Sequence, residues 1–105
     1  MNLSIITVNY HAWRHLEAAL VELEKDFPED WEIIVVDNES DAQSFNEFVA
    51  RFPWVTFISN PINSGFGAGC NIGVARATGE QLLFMNPDVI ASSSSIQALI
   101  GIKAE

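Results

Sequence analysis

The chain has 105 residues, 49% of them apolar, a size and composition that suit one compact domain with one core and exclude disorder. Five basic residues against 14 acidic ones give a formal net charge of −9, and such a surface repels nucleic-acid phosphates, so no nucleic-acid partner is expected. No apolar run approaches the roughly eighteen residues that a membrane span requires, so no span is expected either.

Residues 3–8, "LSIITV", are apolar at odd and even positions alike, the pattern of a strand covered on both faces. No basic lead precedes them, so no signal peptide is expected. Trp13, Leu16, Leu20, Leu23 and Phe27 then recur at helical spacing, with Glu17, Glu22, Glu24 and Lys25 between them. That is an amphipathic helix, which Pro28 helps to stop. The acidic residues of 17–32 read as a solvated helix face and turn. "WEIIVV", 31–36, is a second buried strand that ends at Asp37, Asn38, Glu39 and Ser40. Ser40 or Asp41 caps a second helix with an inner face of Phe45, Phe48, Val49 and Phe52, and Pro53 ends it. "WVTFIS", 54–59, is a third strand, followed by the loop "NPINSG". A third helix spans about 66–78, with Gly79 expected at its C-cap. "QLLFM", 81–85, reads as a fourth buried strand, and residues 91–102 begin a fourth helix capped by a serine. Trp13, Trp31 and Trp54 are expected in core or rim packing. Cys70 is expected to pack inside the third helix. As the single cysteine it cannot form an internal disulfide, which fits a reducing compartment, and a cytoplasmic location is expected.

The order β-α-β-α-β-α-β-α puts a helix in every strand-to-strand link, which forces parallel pairing and right-handed crossovers. The expected fold is α/β: a three-layer, Rossmann-like parallel sheet ordered 3-2-1-4, with residues 1–105 as a single domain. Ligands of open parallel sheets bind at the carboxyl ends of the strands, where the strand order reverses. The groups leaving those ends are Asn9 and Tyr10, Asp37 and Asn38, residues 60–65, and residues 86–88. Four turns remote in sequence are thus expected on one rim.

The third helix, "NSGFGAGCNIG", spends Gly65, Gly67, Gly69 and Gly73 where better helix formers would stand. Each interior glycine costs about 0.5–1 kcal/mol relative to alanine. For Gly69 and Gly73 the expected reason is close packing on the sheet. Gly65 and Gly67 open the helix, where bare backbone lets a ligand reach free amides at the positive end of the dipole. The spacing is not that of a P-loop, and a dinucleotide fingerprint would follow the first strand.

Taken in order, "SIITVNY", "EIIVVDNES" and "NSGFGAGCNIGVARATGEQLLFMNPDV" resemble the amino-terminal half of a family 2 inverting glycosyltransferase of the GT-A fold, especially its rhamnosyltransferase-like members. The resemblance runs from Leu3 to about Ile100. It implies a nucleotide-diphospho-sugar donor, dTDP- or UDP-linked. Thr7, Val8, Asn9 and Tyr10 would lie against base and ribose, and Asp37, with Asn38 beside it, would accept the imide N–H of uracil or thymine. Asn63, Gly65 and Asn71 would line the nucleotide and phosphate side, and Asn86 would face the ribose or sugar. Asp88 would help to hold Mg²⁺ or Mn²⁺ against the diphosphate. "NPD" stands where the family usually has Asp-x-Asp, so the motif offers one anionic ligand in place of two, and metal affinity is expected to fall.

Each residue also has a plainer reading. Asp37 can hold its own turn, and Asp88 can cap the fourth helix or an Asx-turn. His11 and His15 lack an evident partner carboxylate and are expected to face water. Arg76 either reaches a phosphate or faces solvent at a helix end. The family's catalytic base lies beyond the metal motif, so the chain is expected to be a truncated donor-binding half, binding nucleotide without transferring sugar. An apolar edge left bare at the fourth strand is expected to pair two copies into a homodimer. A non-catalytic nucleotide-binding or interaction module on the same fold is the alternative. A flavodoxin-like or response-regulator-like domain would need an acidic cluster or phosphate loop after the first strand, which Asn9, Tyr10 and His11 do not provide.

Overall fold

The computed structural model describes residues 1–39 and 41–104, without the side chains of 101–104. Its elements are β1 (Leu3–Asn9), α1 (Trp13–Glu24), β2 (Trp31–Asn38), α2 (Ala42–Arg51), β3 (Thr56–Asn60), α3 (Phe66–Arg76), β4 (Gln81–Met85) and α4 (Ser93–Ala104). The four strands form one parallel sheet in the order β3-β2-β1-β4, as the sequence implies.

Handedness distributes the helices. The chain steps from β1 to β2 to β3 in one direction, then returns across the sheet to β4 through α3. Right-handed crossovers therefore put α1 and α2 on one face and α3 on the other. The core divides accordingly. Leu3, Ile5, Trp31, Ile33 and Val35 pack with Leu16, Leu20, Leu23, Phe52 and Ile96 on the first face. Val8, Ile34 and Val36 pack with Cys70 and Ile72 on the second. β1 lies between β2 and β4 and is buried along its whole length.

α3 lies very close to the sheet. A Cβ on Gly73 would stand 2.6 Å from Ile6 Cγ2, and one on Gly69 would stand 2.9 Å from Val8 Cγ1. The packing reason expected for these two glycines is therefore the operative one.

Four expectations need correction. Gly79 is not a helix cap: α3 ends at Arg76 with Ala77 as C-cap, and a Cβ on Gly79 would stand 2.5 Å from the Ser4 backbone nitrogen. Glycine is required there because β1 passes against it. Val49 is 42% exposed and leaves the inner face of α2, a peripheral helix with no fully buried residue. The third strand begins at Thr56, two residues later than its apolar run, because Val55 N–H is drawn back to the Phe52 carbonyl at 3.1 Å. Finally, β4 is not buried on both sides. Leu83 and Met85 join the first core, but Leu82 and Phe84 are 43% and 47% exposed, since α3 covers β1 and β2 and stops short of β4.

The caps complete the frame. Of the two candidates for α2, Asp41 accepts from Gln43 N at 3.3 Å and from Ser44 Oγ at 2.7 Å, while Ser40 lies outside the described residues. Ser92 caps α4 by accepting from Ser95 N at 3.1 Å. Trp31 is buried, and Trp13 and Trp54 are half-buried against Phe48 and Phe27, as packing residues should be.

Candidate functional site

The carboxyl ends of all four strands open on one rim, because the strands are parallel. At its centre β1 and β2 end in register, Asn9 opposite Asp37. Both are buried, at 0% and 1% exposure, and Asn9 Nδ2 donates to Asp37 Oδ1 at 3.0 Å. Asn9 Oδ1 accepts from Ala12 N at 3.2 Å, so the same side chain holds the entry to α1, a helix whose N-cap has no side-chain bond of its own. Asp37 is therefore locked in place from β1. Thr7, two residues back on the same face, is 3% exposed, and its hydroxyl has no hydrogen-bond partner among the described residues. Val8 turns to the opposite face and packs beneath Gly69. Tyr10 is exposed, its ring against that of His11 at 4.5 Å between centroids.

Asn38 points to the other face, because successive residues of a strand alternate. Its Nδ2 donates to Gly65 O at 3.2 Å and to Asn63 Oδ1 at 3.4 Å, and its Oδ1 accepts from Asn60 Nδ2 at 2.8 Å. Asn63 Oδ1 also accepts from Gly65 N at 3.2 Å, and Asn60 reaches Ser64 Oγ at 2.9 Å. The glycine-rich loop is thereby pinned to the end of β2. Gly65 has φ +89°, a conformation that L side chains rarely adopt, and nothing lies within 4 Å of where a Cβ would stand on Gly65 or Gly67. The first turn of α3 consequently offers open backbone. Asn71, a turn further on, is exposed.

On the far side of β1, β4 ends in a turn closed by Val89 N donating to Asn86 O at 3.1 Å. Asn86 and Asp88 are both exposed. Ser92 takes the cap of α4, which removes that rival role for Asp88. Asp37 and Asp88 thus leave the two strands that flank β1, at the same end of the sheet. No group of three or more His, Cys, Asp or Glu side chains able to hold a metal occurs among the described residues.

Two features escaped sequence reasoning. His11 is exposed, as expected, but it does have a partner: its Nε2 lies 3.7 Å from Glu39 Oε2. Both residues are left-handed, with φ 53° and 54°, so the turns leaving β1 and β2 carry matching strained positions. Nothing in the letters signals that pairing. The second is Glu32, which is no mere solubilising acid. Its Oε2 accepts from Ser4 Oγ at 2.6 Å and from Thr78 N and Oγ1 at 2.6 and 2.8 Å, a clasp at the amino end of the sheet, away from the rim. Arg76 is exposed, and Cys70 is a half-buried free thiol whose pKa burial pushes up, which favours the protonated form. A groove of about 260 Å³ lined by Leu3, Gln81, Leu82, Leu83, Leu99 and Ile100 lies where β1 and β4 begin, at the opposite end from the rim.

A 3-2-1-4 parallel sheet with helices on both faces and its polar turns on one rim is the architecture of the GT-A nucleotide-sugar transferases. Residues 4–103 match the family described as "Glycosyl transferase family 2", and the chain belongs to that family. It is 34% identical over 86 residues to an uncharacterized glycosyltransferase of Haemophilus influenzae and 29% identical over 103 residues to one of Nostoc. These matches take in 82% and 95% of this chain but 29% and 32% of the relatives' lengths. Among solved structures, TarS of S. aureus in complex with UDP-GlcNAc is similar with a TM-score of 0.73 and 25% identity, over 96% of this chain and 30% of that one. TarS in complex with UDP has the same fold, with a TM-score of 0.72 at 24% identity over 96% of this chain and 31% of that one. Among the described residues, no helix is long and apolar enough to cross a membrane.

Proposed function

We propose that the chain is the donor-binding region of an inverting glycosyltransferase and that its rim holds a pyrimidine nucleoside diphosphate sugar. The observation that carries the reading is the buried Asn9–Asp37 pair, which fixes a carboxylate at the same end of the sheet as the open first turn of α3. In this reading Asp37 accepts the imide N–H of the base, Tyr10 lies against the base, and Thr7, Val8 and Asn9 form the ground beneath base and ribose. Gly65 and Asn71 face the diphosphate, helped by the amides and dipole of α3. Asn38 and Asn63 belong to the same side, and Asn86 faces the ribose or sugar. UDP is the first choice of nucleotide, because TarS, at 25% identity, is a structure in complex with UDP-GlcNAc. A dTDP-sugar, as for rhamnosyltransferase-like members, fits the "NPD" motif.

Asp88 is the residue that would hold Mg²⁺ or Mn²⁺, and Asn86 leaves the motif with that single anionic ligand. Such an ion supplies positive charge to the departing diphosphate. With a formal net charge of −9, the protein has little other means of drawing a diphosphate in, apart from the α3 amides.

The 105 residues correspond to about a third of the curated relatives, and we propose that alone they bind donor without transferring sugar. The free Cys70 supports a cytoplasmic setting. Two copies are proposed to join at β4, an edge strand with exposed Leu82 and Phe84 and no proline or charge to deter pairing. Calorimetric titration with UDP, dTDP and GDP, each with and without Mn²⁺, tests the reading. UDP and dTDP should bind and GDP should not. Absence of binding, or equal binding of all three, would sink it.

A further inference from the structure

We infer that Asn38 is a positioning residue: it sets the phosphate side of the site relative to Asp37 by holding the β3–α3 loop, without touching the ligand. The inference deepens the donor-binding reading and rests on it. Asn38 is 1% exposed, and its amide is already committed within the protein, with both its nitrogen and its oxygen engaged. What it grips is specific. Gly65 O, which accepts from Asn38, also accepts Gly69 N at 3.1 Å, the bond that begins α3. Asn63 Oδ1, its other acceptor, fixes Gly65 N. Asn38 therefore clamps the N-cap of α3 from both sides of Gly65.

A loop that turns on a glycine at φ +89° has many alternatives of similar energy, so a clamp is needed to select one of them. Gly69 lies against it: a Cβ there would stand 3.4 Å from Asn38 Nδ2, although the contact that demands glycine is the one with Val8 at 2.9 Å. Neighbouring residues of one strand thus serve the two halves of the site. Asp37 is bonded to β1 on one face and Asn38 to the glycine loop on the other. Their separation, fixed by the strand, sets the span between base and diphosphate.

The substitution Asn38→Asp keeps size and the acceptor for Asn60 but turns an oxygen toward Gly65 O and Asn63 Oδ1. Hydrogen exchange on the ligand-free chain should speed up at residues 63–69. If the loop is then competent in one molecule in ten, UDP affinity falls about tenfold, while uridine, which has no phosphates, keeps its affinity within about twofold by NMR titration. Asn60→Ala removes the donor that orients the Asn38 amide at a residue given no ligand contact, should act in the same direction, and decides the matter if Asn38→Asp does not fold. Unchanged UDP affinity with fast exchange overturns the positioning role and leaves donor binding intact. A parallel loss of UDP and uridine also overturns it, as general damage. If the unmodified chain binds neither compound, the donor-binding reading falls, and this inference with it.

Discussion

The amide of Asn9 donates to the carboxylate of Asp37 at 3.0 Å, so β1 and β2 are joined by buried side chains at the point where both strands end. Aspartate is costly to bury and is tolerated when its oxygens are bonded. Replacing it by alanine leaves the Asn9 donor buried without its partner. Asp37→Ala should therefore cost about 1–3 kcal/mol of stability in urea unfolding. Under the proposed function it also abolishes discrimination between UDP and GDP. A variant that stays selective would remove Asp37 from base recognition.

The glycines of α3 should separate into two kinds. Gly73→Ala forces a methyl to within 2.6 Å of Ile6 and should destabilise by about 1–3 kcal/mol. Gly67→Ala meets nothing within 4 Å and should stabilise by about 0.5 kcal/mol or more. If Gly67 exists to admit a diphosphate, its alanine variant is more stable and binds UDP less well, which thermal melting and calorimetry on one sample can show.

Glu32 makes stability depend on acid. Burial raises its pKa, but bonds from Ser4 and from the Thr78 amide and hydroxyl outweigh burial, and the net shift is downward. A folded-state pKa below the unfolded one gives stability that is complete above the ordinary glutamate value, about 4.5. It is lost as pH falls through the folded value. Asp41, lowered by the Ser44 hydroxyl, acts with the same sign. Unfolding free energy followed from pH 6 to pH 2 should fall less steeply in Glu32→Gln than in the unmodified chain.

Asp88 is the test of metal use. UDP should bind more tightly with Mn²⁺ than without, and Asp88→Asn should erase the difference, with metal-free binding no weaker because one repelling charge is gone. An unchanged Mn²⁺ effect in that variant would assign the ion to the nucleotide alone.

β4 carries the prediction about assembly. Phe84 is 47% exposed on a strand with one free edge. Sedimentation should show a concentration-dependent dimer, and Phe84→Lys should shift it to monomer, because a charge on an edge strand opposes pairing. A monomer at all concentrations before mutation would refute the dimer.

The strand and helix order, the 3-2-1-4 sheet and the common rim were legible in the letters, because hydrophobic period and parallel crossovers leave few alternatives. The glycine packing of α3 was legible as well, since interior glycines in a helix demand a reason. The burial expected of β4 failed on one face, because a pattern of apolar residues cannot tell whether a helix reaches across to cover them.

What the sequence by itself determined is which turns share one end of the sheet. Only the tertiary structure decided which side chains meet there and which brace the frame elsewhere: Asn38 with Asn63 across 25 positions, Ser4 with Glu32 across 28, Thr78 with Glu32 across 46. Periodicity constrains each segment against water, whereas a hydrogen bond between remote side chains depends on distances of tenths of an ångström, set only when every layer has packed.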